Sequence, residues 1–280
     1  MCVPNSPDKH CALKDDFYHN WFNYRCDLSK DFHVDVEMID RCINKLKRGK
    51  GAGMDGLNVE HLMFAHPIIV QQLAQLFQII IHVAVVHTNF GCGVIIPLIK
   101  NRDGDASSSD NYRGIMLGPV ISKLFELVLM EMVRDKLTSS YLKFGFKSKS
   151  SCNHAIFTLR MLVKHYCSFG STLTLGALDI SKAFDRVNFY GLMNVLMARR
   201  FPRSFIGNMY RPNWLHKCVG IVRWENCFSS VFAVTAGVRQ GGLLSPALFC
   251  SFHGQSHYSF EVVKIRLLLA RSLLWVLSVC

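Results

Sequence analysis

Two aspartates, Asp179 and Asp185, follow an apolar segment and are the first candidates for chemistry in this chain. The segment 173–178 is interrupted only by Thr174 and Gly176, a pattern that is typical of a buried strand. A carboxylate at the end of such a strand is costly unless a positive group meets it. A divalent metal ion or a helix N-terminus could supply that charge, or both aspartates could cap the following turn. These alternatives stay open on the residues alone.

A second candidate is the glycine-rich segment GVRQGGLLSPALF, which covers residues 237–249. Gly237, Gly241 and Gly242 have no side chains, so the backbone there can approach another group closely. Pro246 stands where a following helix would begin, a position at which proline is favoured. The order predicted from the two candidates is strand, aspartate, helix, two further strands, glycine-rich turn and a Ser-Pro helix.

The two segments together resemble a known family. LDISKAFD, residues 178–185, is similar to the first palm motif of the reverse transcriptases of non-LTR (LINE-type) retrotransposons. GVRQGGLLSP, residues 237–246, is similar to that family's template- and nucleotide-positioning motif. The resemblance covers roughly three quarters of the chain. It implies an α/β (α+β) fold with right-hand polymerase fingers plus a partial palm, and no thumb.

The resemblance also implies roles for individual residues. Asp179 would be the catalytic carboxylate and a ligand of Mg²⁺, of which such polymerases hold two ions about 3.5–4 Å apart. Phe184 would exclude a ribose 2′-hydroxyl and so select deoxynucleotides, while Gln240 and Gly241 would position the base pair. The implied partners are an RNA template, a DNA primer and deoxynucleotide triphosphates. Asp185 is expected to cap the next helix.

Two strand patterns, 94–100 and 111–117, predict a hairpin that carries Lys100 and Arg113 near its ends. They resemble the family's PL-x-K and NYRPI segments, with Gly114 in place of the usual proline. By resemblance Arg113 would contact the incoming triphosphate, which a guanidinium can grip through two hydrogen bonds, and Lys100 could assist. Both cations could instead be solvated charges of the hairpin.

Two basic segments are candidates for contacts with a nucleic-acid backbone. KRGKGAGMDGL, residues 47–57, can present backbone amides and Lys50 to phosphates, and a flexible loop is the alternative. It formally contains a dinucleotide-binding glycine pattern, but a helix precedes it where a strand would be required. The segment 144–162 combines Lys147 and Lys149 with two phenylalanines, a combination suited to a template strand.

The remaining patterns predict helices over 35–48, over 67–87 and from residue 119. The domain prediction places a linker or incomplete N-terminal region at 1–34, and a reverse transcriptase domain at 35–250. Residues 251–280 form a tail that matches no part of the family pattern.

Composition agrees with a polyanion partner, because the formal net charge is +12 and the isoelectric point is about 9.3. A generally basic protein without such a partner is the alternative. Eleven scattered cysteines without a Cys-x-x-Cys pair and a polar N-terminus predict reduced thiols and an intracellular, cytoplasmic or nuclear location. The apolar tail is interrupted by lysine and arginine, so membrane insertion is not expected. The oligomeric state is left open.

The family's second carboxylate motif, aromatic-x-Asp-Asp, does not occur in the sequence. The one Asp-Asp pair is Asp15-Asp16, and no aspartate follows Asp185. A single carboxylate cannot hold a two-metal site, so we expect a chain that is truncated before this motif and does not polymerise DNA. Two alternatives are a non-catalytic nucleic-acid-binding remnant of a retroelement and an unstable product of a decayed element.

Overall fold

A computed structural model gives the fold of most of the chain. Three of the predicted site residues, Asp179, Lys147 and Lys149, lie outside the residues that the structure describes. The described residues are 7–26, 32–137, 144–145, 150–171, 173, 184–210 and 218–253.

Helices and a small mixed sheet make up the described part, which confirms the predicted mixed α/β architecture. Its helices are α1 (Pro7–Asn23), α2 (Val36–Lys45), α3 (Val59–Met63), α4 (Pro67–Val83), α5 (Val120–Met132), α6 (Cys152–Ser168), α7 (Phe189–Ala198), α8 (Arg203–Tyr210) and α9 (Ser245–His253). Its strands are β1 (Cys92–Ile99), β2 (Tyr112–Leu117), β3 (Cys218–Trp224), β4 (Cys227–Phe228) and β5 (Phe232–Val234). The assignment to fingers and a partial palm stays a prediction.

The sheet is built around β1 and β3, which pair in parallel with Val94 opposite Ile221. On its other side β1 pairs antiparallel with β2, from Val94 opposite Leu117 to Ile99 opposite Tyr112. Both β4 and β5 pair antiparallel with β3, at its end and its beginning respectively. Among the described strands, β2 therefore lies at one edge of the sheet, where its outer backbone groups can bind another segment.

The predicted hairpin of β1 and β2 is confirmed, although its connection is longer than favoured hairpin loops. Side chains inside the connection explain how it closes. The Asn111 amide donates to the carbonyl oxygen of Asn101 at 2.9 Å and accepts from the Asn101 backbone N–H at 3.1 Å. The Tyr112 hydroxyl donates to the Ala106 carbonyl at 2.8 Å. The loop is thus held by its own polar side chains.

The predicted helix starts are confirmed, whereas two predicted ends are too late. Asp35 caps α2 by accepting from the Met38 backbone N–H at 2.6 Å, and Pro119 immediately precedes α5. Helix α2 ends at Lys45, three residues before the predicted end. Helix α4 ends at Val83, before the predicted residue 87, because Ala84 takes a left-handed conformation with φ of 53°.

Residues 7–23 form helix α1, so the linker interpretation is wrong for them. The helix is held by Phe17, which is completely buried against α7 and α8 and has Tyr210 at 4.4 Å between ring centroids. In addition, the Asn194 side-chain amide of α7 donates to the Leu13 carbonyl at 3.2 Å. The polar surface of α1 hides this burial in the sequence, because only a few of its apolar residues face the core.

One contiguous hydrophobic core joins most of the helices. Its largest completely buried side chains are Phe17, Phe77, Phe125, Phe201, Phe205, Phe249, Ile39, Ile81, Leu124, Leu129 and Leu192. None of the described helices combines the length and apolar character that crossing a membrane requires. The core therefore fixes α5, α7 and α9 relative to one another, and these three helices carry or flank the candidate site.

Candidate functional site

The glycine-rich segment 237–244 lies along the open edge of β2. The backbone N–H of Met116 donates to the Gln240 carbonyl at 2.7 Å, so the segment pairs with the outer side of the strand. Gly241 has a φ of +117°, and a Cβ atom there would lie 2.5 Å from the Met116 carbonyl oxygen. Only glycine fits this position, since both the backbone angle and the space exclude a side chain.

The beginning of the same segment is bound to the turn at residues 184–187. The Gly237 backbone N–H donates to the Val187 carbonyl at 3.1 Å, and that of Val238 donates to the Phe184 carbonyl at 3.0 Å. Gly237 has a φ of +87°, and a Cβ atom there would lie 2.7 Å from the Cα of Asp185. Although they are separated in sequence, the ends of the two candidate segments are therefore in direct contact.

Gln240 connects the two segments through its side chain as well. Its Nε2 amide donates to Oδ1 of Asp185 at 2.9 Å. The prediction that Asp185 caps the next helix is wrong. Asn188 caps α7, accepting from the Gly191 backbone N–H at 3.0 Å, because α7 begins at Phe189 and Asp185 precedes the cap position by three residues.

Phe184 lies beside this contact and is half-buried. Its ring stacks on Phe249 of α9, with centroids 4.4 Å apart and an angle of 14° between the ring planes. One face of the Phe184 ring is therefore covered by α9. Its predicted part in selecting deoxynucleotides stays a prediction.

A buried ion pair between Arg239 and Glu126 of α5 holds the glycine-rich segment against the protein core. Nη2 of Arg239 lies 3.3 Å from Oε1 of Glu126, and the two side chains are only 6% and 4% exposed. Oε2 of Glu126 accepts from the backbone N–H groups of Leu243 at 2.5 Å and Leu244 at 3.0 Å. Sequence reasoning missed both charged residues. One feature of the sequence could have indicated this pair: Glu126 is an acidic residue on the apolar side of the predicted helix α5, where it needs a positively charged partner.

The Phe90 carbonyl extends this network, since it accepts from Nη1 of Arg239 at 2.9 Å and from the Ser122 hydroxyl at 3.1 Å. A small surface pocket beside this network is lined by Met116, Gly118, Ser122, Lys123, Glu126, Arg239, Gly241 and Gly242. Burial lowers the pKa of Lys123, and the nearby carboxylates of Glu126 and Asp55 oppose that shift.

The basic loop 47–57 lies against the end of β2 and the start of α5. A Cβ atom at Gly53 would lie 2.9 Å from the backbone nitrogen of Pro119, so the loop backbone packs directly on the start of α5. The Gly49 backbone N–H donates to the exposed carboxylate of Glu60 at 2.7 Å, and this bond lowers the pKa of Glu60. Lys50 is exposed in this loop. The loop joins α2 to α3, which confirms that the strand–helix context of a dinucleotide site is missing.

Lys100 and Arg113 lie at the distal part of the hairpin. Nζ of Lys100 donates to the Asp110 carbonyl at 2.7 Å, so this amine serves the hairpin loop. Arg113 is exposed on β2 opposite Leu98, and strand alternation places it on the same face as Ile115. A Cβ atom at Gly241 would lie 3.4 Å from the Ile115 side chain, so Arg113 and Gly241 share that face of β2.

The structure thus brings Lys50, Phe184, Gln240 and Gly241 to the elements around β2 and the start of α5, with Arg113 farther along the strand. Within the described residues, no three His, Cys, Asp or Glu side chains come together as a metal site. The predicted Mg²⁺ ligand, Asp179, lies outside them and stays a prediction.

Comparison with known proteins agrees with this arrangement. The family described as "Reverse transcriptase (RNA-dependent DNA polymerase)" matches residues 99–262, more than half of the chain. The match includes β2, the Phe184 turn and the glycine-rich segment, and it extends beyond residue 250, into the predicted tail.

Three curated proteins of Drosophila melanogaster are similar over much of the chain. The RNA-directed DNA polymerase from mobile element jockey is 25% identical over 256 residues, covering 88% of this chain and 27% of that protein. The probable RNA-directed DNA polymerase from transposon BS is 26% identical over 229 residues, covering 78% and 24%. The corresponding protein from transposon X-element is 28% identical over 169 residues, covering 56% and 18%. The chain therefore spans only about a fifth to a quarter of the length of these relatives.

Proposed function

Because the chain belongs to the reverse transcriptase family and is related to the RNA-directed DNA polymerases of non-LTR retrotransposons, we propose that it holds a template–primer duplex and an incoming deoxynucleotide against residues 237–244. In this proposal α3–α5 and the β1–β2 hairpin belong to the fingers, and α7, α9 and the Phe184 turn belong to a partial palm. The polymerase relatives support this class of substrate, and the geometry of the described residues supports the choice of contacts around the glycine-rich segment.

The observation that carries the proposal is the docking of the glycine-rich segment between the β2 edge and the Phe184 turn. Gly241 is exposed, so a base pair could approach the backbone of the segment at this residue. Gln240 lies directly beside that point and has amide groups that can donate and accept hydrogen bonds. The segment is thus suited to contact a base pair by shape rather than by base identity.

Cations around this segment suit the phosphates of the same ligands. Arg113 is exposed on the face of β2 that Gly241 approaches, and it would bind the triphosphate through its guanidinium. Lys50 is exposed in the basic loop that packs on the start of α5, and it would contact the template backbone. Lys100, Lys147 and Lys149 are proposed as additional cations, and the net charge of +12 favours such a polyanion.

Nucleotide incorporation requires metal ions and the carboxylates that hold them, in addition to substrate binding. Mg²⁺ would activate the primer hydroxyl and stabilise the pyrophosphate, and Asp179 is the residue proposed to hold it. The 280 residues contain no aromatic-x-Asp-Asp motif to provide the other carboxylates. We therefore propose that these 280 residues by themselves bind template–primer without extending it.

A binding and extension experiment tests both parts. Fluorescence anisotropy with a labelled RNA-template/DNA-primer duplex should show binding that weakens as salt rises, because phosphate contacts release counterions. Primer extension with Mg²⁺ and all four deoxynucleotides should show no incorporation. Incorporation that disappears in Asp179→Ala would overturn the non-catalytic part. Absence of duplex binding even at low salt would overturn the proposal as a whole.

A further inference from the structure

We propose that Glu126 is a positioning residue, whose buried carboxylate holds residues 239–244 in the shape that presents Gln240 and Gly241 to the substrate. It would act through the segment, since it is itself only 4% exposed in its side chain. The inference deepens the proposed function and rests on it for the identity of the substrate, whereas the contacts described below are independent of that identity.

A single carboxylate joins both ends of the segment. Oε1 of Glu126 lies 3.3 Å from Arg239 at the beginning of the segment, while Oε2 accepts from the backbone N–H groups of Leu243 and Leu244 at its end. Between them the backbone passes directly over the carboxylate, because a Cβ atom at Gly242 would lie 3.3 Å from Oε2. Gln240 and Gly241 therefore lie in a span that is fixed at each end by the same side chain.

The charge of Glu126 is suited to both contacts. Leu243 and Leu244 immediately precede α9, where backbone N–H groups lack partners within the helix and the helix dipole favours an anion. The guanidinium of Arg239 is almost completely buried, and a buried charge is strongly unfavourable without its counter-ion. Arg239 also donates to Phe90, so its position is fixed by the protein core. Removing the negative charge should disturb both ends of the segment together.

Hydrogen exchange measured by mass spectrometry tests the positional part. In Glu126→Gln the side chain keeps its size and one acceptor oxygen, but it loses its charge. We expect amides of the peptide 237–249 to exchange about tenfold faster or more, while peptides from α2 and α4 keep their rates. The matched control is Glu131→Gln on the same helix, since Glu131 forms its ion pairs with Lys45 and Arg134 at the surface. Unchanged exchange in 237–249 would overturn the proposal.

A double-mutant cycle in duplex binding tests the link to the substrate. Gln240→Ala should weaken binding of the RNA–DNA duplex about tenfold in the native chain and have little effect in the Glu126→Gln background. In the Glu131→Gln background, Gln240→Ala should weaken duplex binding as much as it does in the native chain. A loss of equal size in all three backgrounds would overturn the positioning role, because a general loss of stability would not remove the contribution of Gln240 selectively.

A second variant and the separate exchange measurement distinguish failure of the Glu126 proposal from failure of the proposed function. If Glu126→Gln does not fold, Arg239→Lys keeps the positive charge and removes the forked geometry, and the same local increase in exchange is expected. If the native chain binds no duplex, the proposed function fails, but the exchange experiment still decides whether Glu126 holds the segment.

Discussion

The side-chain amide of Gln240 donates to the carboxylate of Asp185 at 2.9 Å, and this bond joins the two segments that the sequence marks as candidates for chemistry. Asp185 is thus a partner of Gln240, while Asn188 caps α7. Gln240 is held on one side by Asp185 and on the other by the pairing of its carbonyl with Met116. Its side chain is therefore oriented before any ligand arrives.

Gly241→Ala should be strongly destabilising, by about 3 kcal/mol, because the backbone angle is unfavourable for alanine and the Cβ atom would collide with the Met116 carbonyl. Gly56 is the matched control, since it also has a positive φ of +69° but no atom within 4 Å of a Cβ. Gly56→Ala should cost only about 1 kcal/mol. Urea unfolding of the two variants measures the difference. Equal losses would show that the segment does not dock on β2 as described.

Asn188→Ala should cost about 1 kcal/mol of stability, since it removes the N-cap of α7. Asp185→Ala should cost a similar amount for a different reason, the loss of the bond from Gln240. In a Gln240→Ala background the cost of Asp185→Ala should largely disappear, while that of Asn188→Ala should remain. Denaturant unfolding of the single and double variants measures this. If Gln240→Ala changed the stability losses of Asn188→Ala and Asp185→Ala by the same amount, it would be wrong that Asn188 caps α7 and Asp185 binds Gln240.

Acid should weaken the contact between α2 and α5 through Glu131. The hydrogen bond from Lys45 lowers the pKa of Glu131 below its ordinary value of 4.5. Since the folded-state pKa is depressed, the contribution is complete above the ordinary value and is lost as pH falls through the lowered one. Melting temperatures of the native chain and Glu131→Gln should therefore converge as the pH drops from about 6 to about 3. A difference that is independent of pH would contradict this origin of the stability.

Lys50→Ala should weaken duplex binding to the same extent for different sequences and reduce the slope of log K against log salt by about one. The physical reason is that a lysine in contact with one phosphate displaces about one counterion. Lys14→Ala is the control, because Lys14 is an equally exposed lysine on α1, outside the basic loop. Anisotropy titrations at several salt concentrations measure both slopes. An equal reduction in both variants would mean that the basic loop has no particular part in binding.

The chain should unfold in one cooperative thermal transition, in contrast to an unstable product of a decayed element. The reason is that a single contiguous core joins most of the described helices, so that these helices cannot lose their packing one at a time. Circular dichroism in the far and near ultraviolet should give coincident midpoints. A gradual loss of signal without a midpoint would favour the unstable product.

Local elements could be predicted from the sequence because their signals are local. Asp35 before α2, Pro119 before α5 and the strand patterns of the β1–β2 hairpin all act over a few residues. Helix α1 could not be predicted in this way, since its stability comes from burying Phe17 against α7 and α8, which are distant in the chain. A mostly polar helix with a few buried aromatic residues has the composition of a linker until its partners are known.

The sequence by itself determined the family and the glycines of the glycine-rich segment, because these depend on residue types in a recognisable order. Tertiary structure alone decided which groups meet. It placed Gln240 on Asp185, where sequence spacing had suggested a helix cap, and it paired Glu126 with Arg239 across the core. The physical reason is that a buried charge is stabilised by a partner that is close in space but distant in the chain. The sequence shows each of the two charged residues separately and does not show that they pair.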